Sequence, residues 1–395
     1  MKSSRRNFFA ASAASLVGLV RASKVFGMDD ESTLAGDLLY VGTYTEGGKS
    51  EGIYLVRMDP LSGKLRKVGS ANAGANPSFL TVHPNGRVLY AVSEVEKYAG
   101  KASGGVTSFA IASDTGALTR RNEQPSEGGL PCYVSVDRGG KVLLVANYGG
   151  GNLAMLPIQA DGALGRATEV VQHKGTGPNA ERQEAPHAHC IVADPSNRFA
   201  LAADLGVDRV FVYRLDVDGK TLGHVDAGDA VMRPGAGPRH IAFHPTLPLV
   251  FVANELDSTV ATLRFDAERG RLSLLSTHST IPAGSKGANY PADIHVASSG
   301  RTLYVSNRGH NSVAVFSVAP RTGALALEQV VPTKGNWPRN FTLHPSGRWL
   351  LVANQRSNSI VVFERNQDSG RLTATRFSLA VPSPVCLHFR TPRRS

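Results

Sequence analysis

The sequence has 395 residues, 42% of them hydrophobic and 19% charged, and a formal net charge of +11 at pH 7. Its 41 glycines and 22 prolines, with few segments of 3.6-residue period, exclude a helical solenoid and suit short strands joined by turns. The distribution of that charge does not argue for a nucleic-acid binder. Lys2, Arg5, Arg6, Arg21 and Lys24 fall in residues 1–27 with no acid among them, Arg390, Arg393 and Arg394 supply half of the remaining excess of about +6, and no basic run with interleaved aromatics occurs.

In chain order, the first element is an address. Arg5 and Arg6 precede an apolar run, Phe8 to Val20, that is too short to cross a membrane. A basic head, an apolar middle and a polar exit predict a signal peptide over 1–27, and the arginine pair predicts twin-arginine (Tat) export to the periplasm. The Tat translocation machinery is then an expected partner before export, with no stable membrane insertion. If the signal reading fails, the protein is cytoplasmic.

Seven prolines follow: Pro77, Pro131, Pro186, Pro238, Pro291, Pro338 and Pro384. Each opens a strand, here strand a, that folds back as a hairpin with a strand b. One copy reads Pro238-Arg-His-Ile-Ala-Phe-His-Pro245, a turn, then Val250-Phe-Val-Ala-Asn254-Glu255. A strand c and a turn with glycine before a strand d complete each unit, and that glycine recurs as Gly63, Gly116, Gly162, Gly219, Gly270, Gly323 and Gly370. Two markers with the same count predict an all-β fold, a seven-bladed β-propeller of four-stranded blades over 38–389, with a basic tail over 390–395. The ends are out of phase: Leu38–Tyr44 has the form of a strand b and Ser383–Phe389 that of a strand a. The amino-terminal strands and the carboxy-terminal strand are therefore expected to share one blade and close the ring. Cys132, Cys190 and Cys386 all fall in strand a segments and form no Cys-x-x-Cys, which predicts buried core thiols.

The start of strand a and the end of strand b lie at the same sheet edge, so these positions gather at one mouth of the central channel. Strand a starts carry His187 with His189, Arg239 with His240, Asp293 with His295, and Arg339 with Asn340. Strand b ends carry Glu94, Asn147 with Tyr148, Asp204, Asn254 with Glu255, Asn307 with Arg308, and Asn354 with Gln355. The repeated Asn is expected to be a turn device that bonds its own backbone. His83, His244 and His344 precede Pro at the other end of strand a and read as repeat structure. His187 and His189 alternate on one face as metal ligands do, but no third ligand is apparent. Arg239 and Glu255 in one hairpin are compatible with a plain salt bridge. Yet only some blades carry charge here, and asymmetry imposed on a symmetric ring is what a binding site requires.

The motifs Gly42-Thr-Tyr-Thr45, Val145-Ala-Asn-Tyr-Gly-Gly-Gly-Asn152, Ala185-Pro-His-Ala-His189, Gly237-Pro-Arg-His240, Val252-Ala-Asn-Glu-Leu-Asp-Ser258 and Val305-Ser-Asn-Arg-Gly-His310 resemble, as an ordered set, the seven-bladed lactonase family. That family contains propeller-type 6-phosphogluconolactonases and the fungal carboxy-muconate lactonizing enzyme. The resemblance implies hydrolysis, or the reverse closure, of a small acidic or sugar lactone with no metal and no cofactor. It implies catalytic roles for His187, Arg239, Glu255 and Arg308, with His189, His240, Tyr148, Asp204, Asp293, His295 and Gln355 around the substrate. Two departures stand out: Asp293 where relatives often have Glu, and Asn340 where the sixth strand a often has His. In this chemistry His187 or Glu255 takes the proton of water, Arg239 faces the developing oxyanion, and Arg308 holds a substrate carboxylate or phosphate. A phosphorylated gluconolactone is a cytoplasmic metabolite, so the export signal favours an unphosphorylated aldonolactone or another acidic lactone. The alternative is a non-catalytic envelope propeller that binds a sugar or a protein.

Overall fold

The computed structural model describes residues 36–390; the signal peptide expected over 1–27 and residues 391–395 of the tail lie outside them. Seven antiparallel sheets form a ring, and all regular structure among the described residues is strand. Numbering blades by their prolines, strand a is Leu80–Val82, Pro131–Val136, Ala188–Ala193, Pro238–Phe243, Tyr290–Val296, Pro338–Leu343 and Pro384–Phe389 in blades 1 to 7. Blade 7 is the shared one: Pro384–Phe389 pairs with Asp37–Thr43, followed by Ile53–Met58 and Leu65–Ala71. Register pairs such as Leu39 with Phe389 and Val41 with Leu387 remove the open edges a linear stack would leave. Blade 3 carries an extra short strand, Ala230–Val231, on the edge of its strand c.

Strand b is apolar and buried at nearly every position, as in Leu249–Asn254 and Trp349–Asn354, because both faces of each blade are covered by the next blade. The core is therefore a set of seams. Phe199, Leu201 and Val212 of blade 3 meet Ile241, Val250 and Val252 of blade 4 in one of them, and Leu39 and Leu387 of blade 7 meet Leu351 of blade 6 in another. Each such side chain contributes roughly 1.5–3 kcal/mol when fully buried. Strand d faces solvent and turns polar, as in Arg271–Ser279.

The recurring glycine is where neighbouring blades lock. Gly116 of blade 1 has φ +78° and lies where a Cβ would overlap Leu38 of blade 7, while its carbonyl accepts from Tyr40 Oη at 2.8 Å. Tyr304 Oη donates to the Gly370 carbonyl at 2.7 Å in the same way. Blade 3 departs from the expected marker: the left-handed slot is held by Lys220 (φ 57°), one residue after Gly219. At the closed end of the hairpins, His83 and His244 bond the Gly140 and Gly300 carbonyls of the next blade at 2.9 and 3.0 Å. His344 bonds Asp37 of blade 7 at 2.8 Å. These histidines are struts between blades.

Candidate active site

The strand ends meet as expected. Pro238 pairs with Asn254 and Pro291 with Asn307 at the open edge of their hairpins. The repeated Asn is indeed structural, but its partner is not its own backbone. Asn147 Nδ2 donates to the Ser126 carbonyl at 2.8 Å and Asn307 Nδ2 to the Thr280 carbonyl at 2.9 Å, so each tethers the connection arriving from the preceding blade. Asn254 bonds Thr259 instead.

A second device aims the side chains. Strand a begins with a register shift in blades 2 to 6: between Pro131 and Tyr133, Ala188 and Cys190, Pro238 and His240, Pro291 and Ile294, Pro338 and Asn340. The unpaired residues are Cys132, His189, Arg239, Ala292 with Asp293, and Arg339. A bulge leaves its extra residue outside the ladder and re-aims its side chain. Cys132, Arg239 and Arg339 accordingly line one narrow internal cavity together with Glu94, His240 and Val385.

Glu255 is the centre of charge. It is 3% exposed. Arg239 Nε lies 2.9 Å and Arg308 Nη2 2.6 Å from its Oε2, and Arg182 Nη2 donates to Oε1 at 2.8 Å. Burial alone would raise its pKa, but Arg308, Arg239 and Arg182 together hold it well below the usual carboxylate range. Arg239 Nε and Arg308 Nη2 have no hydrogen bond of good geometry although both are buried; they pair with Glu255 by charge and leave donor capacity for another acceptor. Arg239 Nη1 donates to the Ala292 carbonyl at 2.5 Å and to His240 Nε2 at 3.1 Å. Burial, opposed by Glu255, brings Arg308 down to about 9, so it stays cationic at neutral pH.

His187 stacks on Tyr148 with ring centroids 4.4 Å apart. Its Nδ1 lies 3.0 Å from the Tyr148 carbonyl and its Nε2 3.1 Å from Glu184. A carbonyl only accepts, so Nδ1 donates to Tyr148, while Nε2 faces the exposed carboxylate of Glu184. Tyr148 Oη accepts from Arg182 Nη2 at 3.3 Å, which links the histidine to the Glu255 group. Asp204 is fully buried behind this histidine. It accepts from the His187 and Gly206 backbone N–H groups at 2.7 and 2.9 Å and bonds His173 Nδ1 at 2.6 Å. It holds the start of strand a and does not line the cavity described above.

His189 and His240 face each other with centroids 5.3 Å apart. Burial and Arg239 push both pKa values down, His240 to about 4, so both are neutral at pH 7. His240 Nε2 accepts from Arg239, leaving Nδ1 to donate to Asp293 Oδ1 at 2.9 Å. Asp293 also binds His295 Nε2 at 3.0 Å and Asn340 Nδ2 at 2.6 Å through Oδ2. The two departures from the family pattern thus touch: the shorter Asp293 is met by Asn340. Gln355, half-buried, donates its backbone N–H to the Trp337 carbonyl at 3.0 Å, and its Oε1 is buried without a partner.

The structure brings His187, Arg239, Glu255, Arg308 and Tyr148 into one charged cluster, with His189, His240, Asp293 and His295 adjoining it. Sequence reasoning missed Arg182. It lies on the longest connection between blades, from Gln172 to Ala188, and that length was the available signal. Glu94 and Arg339 hold strand-end positions but lie outside the expected set of site residues. Glu94 accepts from Tyr44 Oη at 2.9 Å and bonds Ser78 Oγ, with Arg339 stacked 5.4 Å from the Tyr44 ring. All three cysteines are buried and unpaired, and burial pushes Cys190 up to about 12, so none is a ready nucleophile.

The family model "Lactonase, 7-bladed beta-propeller" matches residues 38–389. The 6-phosphogluconolactonase of Bacillus subtilis is 38% identical over 350 residues, 89% of this chain and 97% of that protein. Among solved structures, a putative 6-phosphogluconolactonase of Bacteroides fragilis superposes with a TM-score of 0.83 at 35% identity, covering 91% of this chain and 99% of that one. The periplasmic gluconolactonase of Pseudomonas aeruginosa also reaches a TM-score of 0.83 at 35% identity, over 89% and 98%.

Proposed function

The chain belongs to the seven-bladed β-propeller lactonase family, and from that footing we propose that it opens the ester of a small acidic or sugar lactone to the hydroxy acid, with His187 as base. One observation carries this reading: three guanidinium groups converge on the single buried carboxylate of Glu255, beside a histidine whose Nδ1 is fixed by the Tyr148 carbonyl and whose Nε2 faces only a surface carboxylate, Glu184, that can swing aside for water. Such a group carries excess positive charge where an ester carbonyl would become an oxyanion.

The roles follow from the chemistry. His187 Nε2 takes a proton from water as the water oxygen attacks the carbonyl carbon. This step is worth roughly 10²–10⁴ in rate. Glu255 is held ionised by its three arginines and is a poor proton acceptor, which leaves the base to His187. Arg239 and Arg308 offer their buried N–H groups to the oxyanion, and fixed donors of this kind are worth on the order of 3 kcal/mol each. When the tetrahedral intermediate collapses, the ring C–O bond breaks and the alkoxide recovers the proton from the His187 imidazolium. Tyr148, His189, His240, Asp293, His295 and Gln355 surround this centre, and Asp204 fixes the backbone of His187. We further propose a periplasmic protein exported by the Tat route. Arg5, Arg6 and the apolar run support it, as does similarity to a gluconolactonase named as periplasmic.

The test is proton release by purified protein on gluconolactone, its 6-phosphate and carboxymuconolactone, with and without EDTA, after subtracting spontaneous opening. Turnover insensitive to EDTA and lost in His187→Ala is the expected result. Unchanged turnover in both His187→Ala and Glu255→Gln defeats the assignment of the site, and no turnover of any lactone favours a non-catalytic binding propeller. Export is tested separately by fractionating cells that make the Arg5→Lys, Arg6→Lys variant.

A further inference from the structure

The residue before the strand a proline sits at the rim of the mouth, and in five blades it is left-handed: Asn76 (φ 47°), Leu130 (49°), Gly237 (64°), Trp337 (66°) and Ser383 (41°). The fold imposes this conformation, which glycine and asparagine adopt most readily and a bulky residue resists. Blades 2 and 6 nevertheless place a leucine and a tryptophan there, and the tryptophan is the one whose ring meets arginines. The backbone bonds that hold the position, from Trp337 N–H to Asn311 Oδ1 at 2.8 Å and from Gln355 N–H to the Trp337 carbonyl at 3.0 Å, would be made by any residue, so the indole is not needed for them. Strain kept at the edge of a site points to use of the side chain.

What the indole does is hold arginines. Arg356 Cζ stands 3.5 Å from its ring centroid, and Arg308 Cζ, from the charged cluster below, 5.6 Å from the same centroid. Tyr290 closes the side of the group at 5.9 Å. Arg356 is exposed, and among the described residues its guanidinium has no carboxylate or hydrogen-bond partner, only the indole face. A stacked guanidinium is pre-organised and keeps its in-plane N–H groups free. Arg308 and Arg356 on one indole thus form a cationic step leading outward from the cluster at Glu255.

We propose that Trp337 and Arg356 form the specificity element of the site, which selects lactones carrying an anionic group, phosphate or carboxylate, at the end remote from the ester. The inference rests on the lactonase reading, and it goes beyond it by naming which end of the substrate is read and by which residues.

The experiment compares kcat/KM for gluconolactone, its 6-phosphate and the 6-carboxylate analogue glucarolactone in the wild type, Arg356→Gln and Trp337→Asn. Arg356→Gln is expected to lower kcat/KM for both anionic lactones by about 10- to 100-fold, the worth of a charge-assisted bond, with neutral gluconolactone little changed. Trp337→Asn is expected to lower the same two by about 3- to 10-fold while its Tm stays level or rises, since Asn relieves the strained φ. Loss on the phosphate alone identifies phosphate as the group read, and loss on the carboxylate alone identifies carboxylate. A constant anionic-to-neutral ratio in both variants, or a lower Tm with an unchanged ratio in Trp337→Asn, overturns the proposal and leaves the lactonase reading standing. If the wild type opens no lactone, that reading falls by itself; calorimetry with 6-phosphogluconate against gluconate then judges the pair, and equal affinities overturn it.

Discussion

Glu94 and Glu255 occupy the same slot of the repeat, each directly after strand b, in Val88–Ser93 of blade 1 and Leu249–Asn254 of blade 4. Their surroundings differ completely. Glu255 meets three guanidinium groups and is held far down as a carboxylate. Glu94 meets two hydroxyls, from Tyr44 and Ser78, and burial pushes its pKa up against the pull of Arg339. The repeat supplies the position, and the surroundings set the direction in which each pKa moves. One carboxylate anchors an electrostatic cluster; the other belongs to a hydroxyl network, and burial shifts it toward its protonated form.

The largest expected effect comes from breaking the first arrangement. Glu255→Gln leaves two buried arginines, Arg239 and Arg308, and the part-exposed Arg182 around an amide, and removing one partner of a buried ion pair costs about 3–5 kcal/mol. Urea unfolding at pH 7 should show a loss of that order, and lactone turnover should drop by at least about 10² because Arg239 and Arg308 lose their alignment. The pH dependence has a defined sign. The folded pKa lies below the unfolded value of about 4.3, so the wild-type advantage is complete above about pH 5 and shrinks as the pH falls below 4. A difference between wild type and variant that stays constant from pH 7 to pH 3 would assign the loss to packing instead.

A middle-sized effect lies one layer deeper, where two histidines share Asp293. Burial and Arg239 lower His240 to about 4, whereas Asp293 raises His295 against the opposing effect of burial. The unfolded chain protonates His240 first, so its contribution to stability falls as the pH drops from about 6.5 to 4, by up to roughly 3 kcal/mol. His295 acts in the opposite direction: its contribution is full below about 6.5 and is lost as the pH rises through its raised pKa. Unfolding measured across this range should lose its acid limb in His240→Asn and its alkaline limb in His295→Asn. If both variants flatten the same limb, the two histidines are not distinguished by their surroundings.

The sequence made the frame legible because a propeller is written in local signals: a proline at each strand a, a glycine slot before strand d, and an apolar strand b that has no exposed face. The phase of the two ends identified the shared blade for the same reason. His187, Arg239, Glu255 and Arg308 were legible because both sheet-edge positions of a hairpin must lie at one mouth. Three things were not legible. The bulges that turn His189, Arg239 and Arg339 out of the ladder are shifts of register between paired strands, which residue type at those positions does not encode. Arg182 reaches Glu255 from an irregular connection, where spacing fixes nothing. Asp204 has the residue type and position of a site member, but its oxygens are taken by backbone N–H groups and His173, a distinction that only geometry draws.

The smallest expected effect is the sharpest check on the opening contrast. Glu94→Gln keeps the shape of a protonated carboxyl, with an oxygen to accept from Tyr44 and an amide to donate toward Ser78. At low pH, where the carboxyl is protonated in both the folded and the unfolded chain, the exchange trades one satisfied group for another, and stability should move by less than about 1 kcal/mol. A raised folded pKa means that the native protein binds more protons than the unfolded chain, so the wild type loses stability as the pH climbs above about 4.3 toward that raised value. The variant lacks this term, and relative to the wild type it should gain stability over the same interval. The expected trace is a pair of unfolding curves that nearly coincide at low pH and separate in favour of the glutamine as pH rises. A loss comparable to that of Glu255→Gln would mean that Glu94 is an ionised partner of Arg339. The cluster would then hold two anchored carboxylates facing each other across the channel, and the division of labour between blade 1 and blade 4 would disappear.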